Sequence, residues 1–230
     1  MSEQPVLSAA QAGQLELGGE LVVNRLGFGA MRITGSGIWG EPEDHDESIG
    51  VLRRAVELGV NFIDTADAYG PEVSERLIAE ALYPYPNDLV IATKGGLKRG
   101  GPNNWYPDGR PETIRAECER SLELLRLETI DLYQIHRPDP NVPLEESLGT
   151  FVELQQEGKV RLIGVSNVDV GQLERIRQIA PVETLQPQYS LVAREAEAEI
   201  LPYAERQNIG VIVYSPMGSG LLTGKMSRER

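Results

Sequence analysis

Short β-rich runs alternate with amphipathic stretches along most of the chain. Apolar runs at 26–31, 60–64, 88–93, 130–135, 160–165, 182–188 and 210–215 have the length and composition of strands. Between them, apolar residues recur at helical spacing: Ile49, Leu52, Ala55 and Val56, then Val73, Leu77 and Ala81, then Ile114, Cys118, Leu122 and Leu125. The same spacing returns at Leu144, Leu148 and Phe151, and again at Leu173, Ile176 and Ala180. The punctuation agrees with the periodicity: Pro111 falls where a first helical turn tolerates proline, and Gly59 and Gly158 stand where helices stop. Ahead of the first run, LELGGELVV predicts a hairpin around Gly18 and Gly19.

Strands separated by helices imply an α/β fold with a parallel sheet, either an open doubly wound sheet or a closed (β/α)8 barrel. A barrel takes about 250 residues. The chain has 230 and presents seven strand signals, so the barrel reading treats 1–230 as one domain whose eighth strand is not found, an incomplete C-terminal end being the expectation.

Composition narrows the class. With 40% hydrophobic and 25% charged residues the chain reads as globular. Its 35 Asp and Glu against 22 Lys and Arg, a net charge of -13, repel phosphate backbones and acidic leaflets, so neither nucleic acid nor membrane is expected as a partner. The single cysteine, Cys118, forms no internal disulfide, and the N-terminus lacks the basic start and apolar stretch of a signal peptide; a cytoplasmic protein is expected. His45, in EDHDES, has no partner at metal-ligand spacing and reads as a solvated loop histidine, so no metal site is expected.

Among motifs, Gly35, Gly37 and Gly40 match GxGxxG, but the polar EPEDHDES follows where a dinucleotide fingerprint requires a helix. The plainer reading is a strand-end loop with Trp39 available to line a pocket. Trp105 and Tyr106 fall in loops at the same end, where pocket and surface roles are equally open. The Walker, HExxH and GxSxG patterns are missing from the sequence.

Four polar residues at strand ends form a coherent set. Asp64 closes VNFI, Tyr69 follows in DTADAYG, Lys94 ends DLVIAT and His136 ends DLYQI. Taken singly, each has an ordinary explanation as a turn former, a loop aromatic, a solvated strand end or a core histidine. Together they make an acid with its tuning machinery. A lysine ammonium draws down the pKa of a nearby phenol, a carboxylate holds the lysine charged, and a neutral imidazole donates a hydrogen bond to a carbonyl oxygen. That chemistry is carbonyl reduction.

The stretches FIDTADAYGPE, IATKGG, DLYQIHRPD, LIGVSN, QPQY and VIVYSPMGSGLLTGK, in order from about Leu26 to Lys225, resemble successive motifs of the aldo-keto reductase superfamily. GAMRITGSGIWG resembles bacterial members near the pyridoxal reductases. The resemblance implies a (β/α)8 TIM barrel with a hairpin closing its bottom and a nicotinamide cofactor lying across its top. It implies Tyr69 as general acid, Lys94 and Asp64 as its tuning pair, and His136 as carbonyl orienter. It further implies Ser166, Asn167 and Gln186 as carboxamide ligands and Tyr214 as the aromatic stacked on the nicotinamide. Ser215, Met217, Gly218, Ser219, Gly220 and Leu222 fall in the loop that wraps the pyrophosphate. NADPH is the cofactor implied, with NADH the alternative, because residues that grip the adenosine end have no match in this chain. An aldehyde or ketone reductase is expected; the other class is a cofactor-binding regulatory or scaffold subunit with little turnover.

Overall fold

In the computed structural model, which describes residues 7–226, the alternation becomes a singly wound parallel sheet. The hairpin strands β1 (Gln14–Leu17) and β2 (Leu21–Asn24) precede β3 (Phe28–Gly29), α1 (His45–Glu57), β4 (Phe62–Asp64), α2 (Val73–Leu82) and β5 (Val90–Gly95). A second hairpin, β6 (Leu97–Gly101) and β7 (Asn104–Pro107), leads to α3 (Pro111–Leu125), β8 (Ile130–Ile135), α4 (Leu144–Gln156), β9 (Val160–Ser166) and α5 (Val170–Arg177). Then come β10 (Thr184–Gln186), α6 (Ile200–Arg206) and β11 (Gly210–Val211). The seven-stranded sheet runs β3-β4-β5-β8-β9-β10-β11, every pair parallel. Strands that neighbour each other in chain order wind in one sense, which is the order of a barrel wall rather than of a doubly wound sheet. Among the described residues β3 and β11 are its two margins. No helix among them is long and apolar enough to cross a membrane.

Several boundaries differ from the sequence reading. The run at 26–31 pairs only at Phe28–Gly29, because the chain then turns through a 3-10 segment that buries Ala30 and Ile33. The run at 182–188 shortens to Thr184–Gln186 before Pro187, which has no N–H for a ladder. At 210–215 the strand ends at Val211, and the chain reaches a left-handed Ser215 with φ 53°. Helix α6 and the β6–β7 hairpin were not predicted: α6 buries only Tyr203 and Ala204, too few to show a period. His45 is the first residue of α1, capped by Asp44, rather than a loop residue, and its imidazole contacts Glu80 at 3.1 Å. Pro111 does open α3, and Gly59 and Gly158 do follow helices, at φ 83° and 76°.

The period of two along each strand divides the core. Ile63, Ile91 and Ile163 face outward into clusters beneath the helices. Phe62, Val90, Ala92, Leu132 and Leu162 face inward, where Leu17, Leu21 and Val23 of the first hairpin pack against them and plug the barrel floor. Burying each such side chain stabilises the fold by about 1.5–3 kcal/mol, so the hairpin is held by its apolar face. Further along the same inward face lie Asp64, Lys94, Gln134, Ser166 and Gln186. An apolar layer at the floor thus carries a polar layer above it. Gly164 keeps the two layers close, since a Cβ there would meet Thr184 Oγ1 at 2.2 Å and Gln134 Cγ at 2.8 Å.

Candidate active site

The polar layer is a connected network. Lys94, fully buried, donates from Nζ to Asp64 Oδ2 at 2.7 Å and to the Thr65 carbonyl at 2.8 Å. Asp64 Oδ1 accepts from Gln134 Nε2 at 3.1 Å and from Gln186 Nε2 at 2.9 Å. Tyr69, from the loop after β4, stands over this network with its ring centroid 5.3 Å from Lys94 Nζ. The His136 ring meets the Tyr69 ring edge-on at 5.7 Å. The structure therefore brings Asp64, Tyr69, Lys94 and His136 to one point at the C-terminal ends of β4, β5 and β8.

Burial acts on each group differently. It raises the Tyr69 phenol, and although the Lys94 ammonium works against it, the net shift is upward. The sequence reading weighted the lysine; desolvation is the larger influence here. For Lys94, burial pulls down but Asp64 and Tyr69 together more than offset it, so the ammonium is kept. Burial, with Lys94 and Arg137, holds His136 well below its ordinary value. The imidazole is thus neutral near neutral pH, and its Nδ1 is buried without a protein partner among the described residues.

A cavity of about 1260 Å³ opens above this network. Tyr69, His136 and Asp64 line it on one side, with Leu97, Trp105 and Pro107 beside them. Ser166, Asn167, Gln186, Tyr214, Ser215, Met217, Ser219 and Gly220 also line it, while Gly218 and Leu222 lie in the adjoining segment Gly218–Thr223 outside the lining. Asn167, in the left-handed region at φ 57°, donates to the His136 carbonyl at 3.0 Å and accepts from the Tyr214 hydroxyl at 2.9 Å. Ser166 Oγ donates to the Gln186 carbonyl at 2.9 Å. Trp39, expected to be available to this pocket, does not line it, and Tyr106 is exposed; Trp105 alone of the three does. Gln134 and Arg137 were missed. Gln134 was legible two residues before His136 on the inward face, whereas Arg137 follows His136 without any periodic signal.

Behind Tyr69 lies a buried acidic group. Asp67, Glu75 and Glu117 are each largely shielded from solvent, and Glu75 accepts from Thr93 Oγ1 at 2.6 Å. Burial lifts Glu75 from its ordinary 4.5 to about 7. The folded state therefore holds an extra proton between those values, and this contribution to stability falls as pH rises from 4.5 to about 7. Glu75→Gln keeps an acceptor for Thr93 but cannot ionise. It is expected to remove that decline, worth roughly 3 kcal/mol at most, so that urea midpoints at about pH 5 and about pH 8 draw together.

A model described as the aldo/keto reductase family matches residues 25–230. The chain belongs to that family. It is 48% identical over 216 residues to an uncharacterized oxidoreductase of Schizosaccharomyces pombe, covering 94% of this chain and 70% of the relative. It is 40% identical over 208 residues to an aldo-keto reductase of Bacillus subtilis, covering 90% and 62%. Pyridoxine 4-dehydrogenase of Escherichia coli is 39% identical over 203 residues, covering 85% and 70%. Among solved structures, the glycerol dehydrogenase of Gluconobacter oxydans superposes with TM-score 0.87 at 41% identity, covering 95% of this chain and 68% of that one. An aldo/keto reductase of Klebsiella pneumoniae in complex with NADP and acetate superposes at 0.77 with 25% identity, covering 91% and 70%. The chain thus spans 62% to 70% of the length of these relatives.

Proposed function

We propose that the protein is an aldo-keto reductase that reduces an aldehyde or ketone to an alcohol, with NADPH as hydride source and Tyr69 as proton donor. The observation that carries this reading is the convergence of a buried phenol, a buried lysine–carboxylate pair and a neutral imidazole on one cavity wall. Two relatives are named as dehydrogenases of alcohols, glycerol and pyridoxine, and alcohol oxidation is the same reaction run backward. The relative with bound NADP supports the cofactor assignment.

The residues present fit a nicotinamide. Tyr214, Ser166, Asn167 and Gln186 line the cavity with the amide and hydroxyl groups a carboxamide requires. When bound, the cofactor supplies a hydride to the carbonyl carbon. Tyr214 is assigned to stack on its ring, and Ser215, Met217, Gly218, Ser219, Gly220 and Leu222 to the loop over its pyrophosphate.

On this reading His136 orients the substrate by donating to the carbonyl oxygen, its low pKa keeping it a neutral donor. As charge develops on that oxygen, Tyr69 transfers its proton there. Lys94 stabilises the phenolate left behind, and Asp64, braced by Gln134 and Gln186, holds Lys94 in place. The test is turnover of a panel of reactive aldehydes with NADPH and, separately, NADH. NADPH-dependent alcohol formation is expected, and tight cofactor binding without turnover would instead mark a regulatory subunit.

A further inference from the structure

The second hairpin contains an arrangement that the reaction does not explain. Arg99 on β6 is paired directly across the ladder with Trp105 on β7, so the two side chains share a face. The guanidinium carbon lies 3.6 Å from the Trp105 ring centroid and 5.5 Å from that of Trp39. Arg99 is largely buried, yet among the described residues it has no carboxylate partner. Its hydrogen bonds go instead to four backbone carbonyls: Nη1 donates to Ile38 at 2.5 Å and Ala68 at 3.1 Å, and Nη2 to Gly37 at 2.9 Å and Gly101 at 3.2 Å.

Those acceptors belong to three separate pieces of chain. Gly37 and Ile38 lie in the loop after the 3-10 segment Ala30–Ile33, Ala68 immediately precedes Tyr69, and Gly101 ends β6 itself. A planar fork of donors suits this task, because each N–H has a fixed direction and the flat face remains free to stack. Trp105 in turn meets Tyr69 edge-on at 6.4 Å and His136 at 6.4 Å. With Leu97 and Pro107 it makes the apolar wall beside those two residues.

We propose that Arg99 is a positioning residue for the reductase reading above: it clamps the 37–38 loop, the chain before Tyr69 and Trp105 into one rigid wall, and that wall selects carbonyl compounds bearing a flat apolar group. The clamp touches no reacting atom. It acts through Trp105, which would otherwise be free to swing on a short hairpin with a bulge between Arg99 and Gly101. Removing it should therefore weaken binding of substrates that reach the wall more than it slows proton transfer.

The chain's two tryptophans are the two that flank Arg99, which makes the clamp directly visible by fluorescence. In a Trp39→Phe background, with excitation selective for indole, Trp105 is the sole tryptophan emitter. Adding Arg99→Met is expected to shift its emission to the red, raise its quenching by acrylamide about threefold, and raise KM for benzaldehyde about tenfold while kcat stays within about threefold. KM for acetaldehyde, which is too small to reach the wall, should move much less. Arg99→Lys, with the charge but not the planar fork, should fall between the two and serves as the test if the methionine variant does not fold. Unchanged Trp105 emission and quenching with an unchanged benzaldehyde KM would overturn the clamp, as would an equal rise in KM for both aldehydes. A background protein with no turnover would overturn the reductase reading instead, leaving the clamp to be judged by emission and by benzaldehyde quenching of Trp105.

Discussion

Tyr69→Phe is expected to lower the turnover of carbonyl reduction by about a hundredfold to ten-thousandfold, because a positioned proton donor contributes that much. The substitution removes one hydroxyl and keeps the ring, so the edge contacts with Trp105 at 6.4 Å and His136 at 5.7 Å remain. Nicotinamide affinity should hardly change, since the assigned cofactor contacts lie at the end of β9 and just after it, on β10 and in the chain after β11. Loss of kcat with preserved cofactor binding, read by fluorescence titration, separates a missing proton from a damaged site. Retention of more than about a tenth of the turnover would exclude Tyr69 as the acid.

Lys94→Met carries the second large effect, and it acts on both stability and chemistry. The ammonium is wholly buried, and its loss deprives Asp64 Oδ2 and the Thr65 carbonyl of their donor. Leaving a poorly solvated carboxylate without its cation costs about 3–5 kcal/mol, and the lower end applies because the Asp64 side chain is still 15% exposed. The double variant with Asp64→Asn should recover much of that stability in urea unfolding, because the stranded charge is removed with its partner. It should not recover activity. The sign of the pH effect follows from Lys94 drawing the Tyr69 phenol downward. Without the lysine the phenol ionises at higher pH, so the rise of alcohol oxidation with pH, where the phenolate is the base, moves upward. An unshifted profile with residual activity would place Lys94 outside the proton-transfer step.

Much of this site was legible because a strand's period of two turns linear spacing into a shared face. Phe62 and Asp64, Val90, Ala92 and Lys94, and Leu132, Gln134 and His136 all obey it, and their strands pair in parallel register in the sheet. The same rule contained Gln134, which the eye passes over because glutamine at a strand end suggests no chemistry by itself. Arg99 and Trp105 were not legible in this way. LKRGGPNNWYP reads as a polar loop, and only the hairpin's cross-strand pairing sets the guanidinium on the indole.

The sequence by itself determined the alternation of strands and helices and the four residues that carry the proposed chemistry, because period, caps and turn residues are local properties of the chain. Local pattern left an open and a closed sheet as alternatives, and the tertiary structure showed the strand order and singly wound sheet that the family resemblance implies, since pairing between segments dozens of residues apart leaves no mark in local pattern. It also decided which influence governs each ionisable group. The Tyr69 phenol is raised and the His136 imidazole lowered mainly by burial, and burial depends on what the rest of the fold packs around a residue, not on the neighbours it has in sequence.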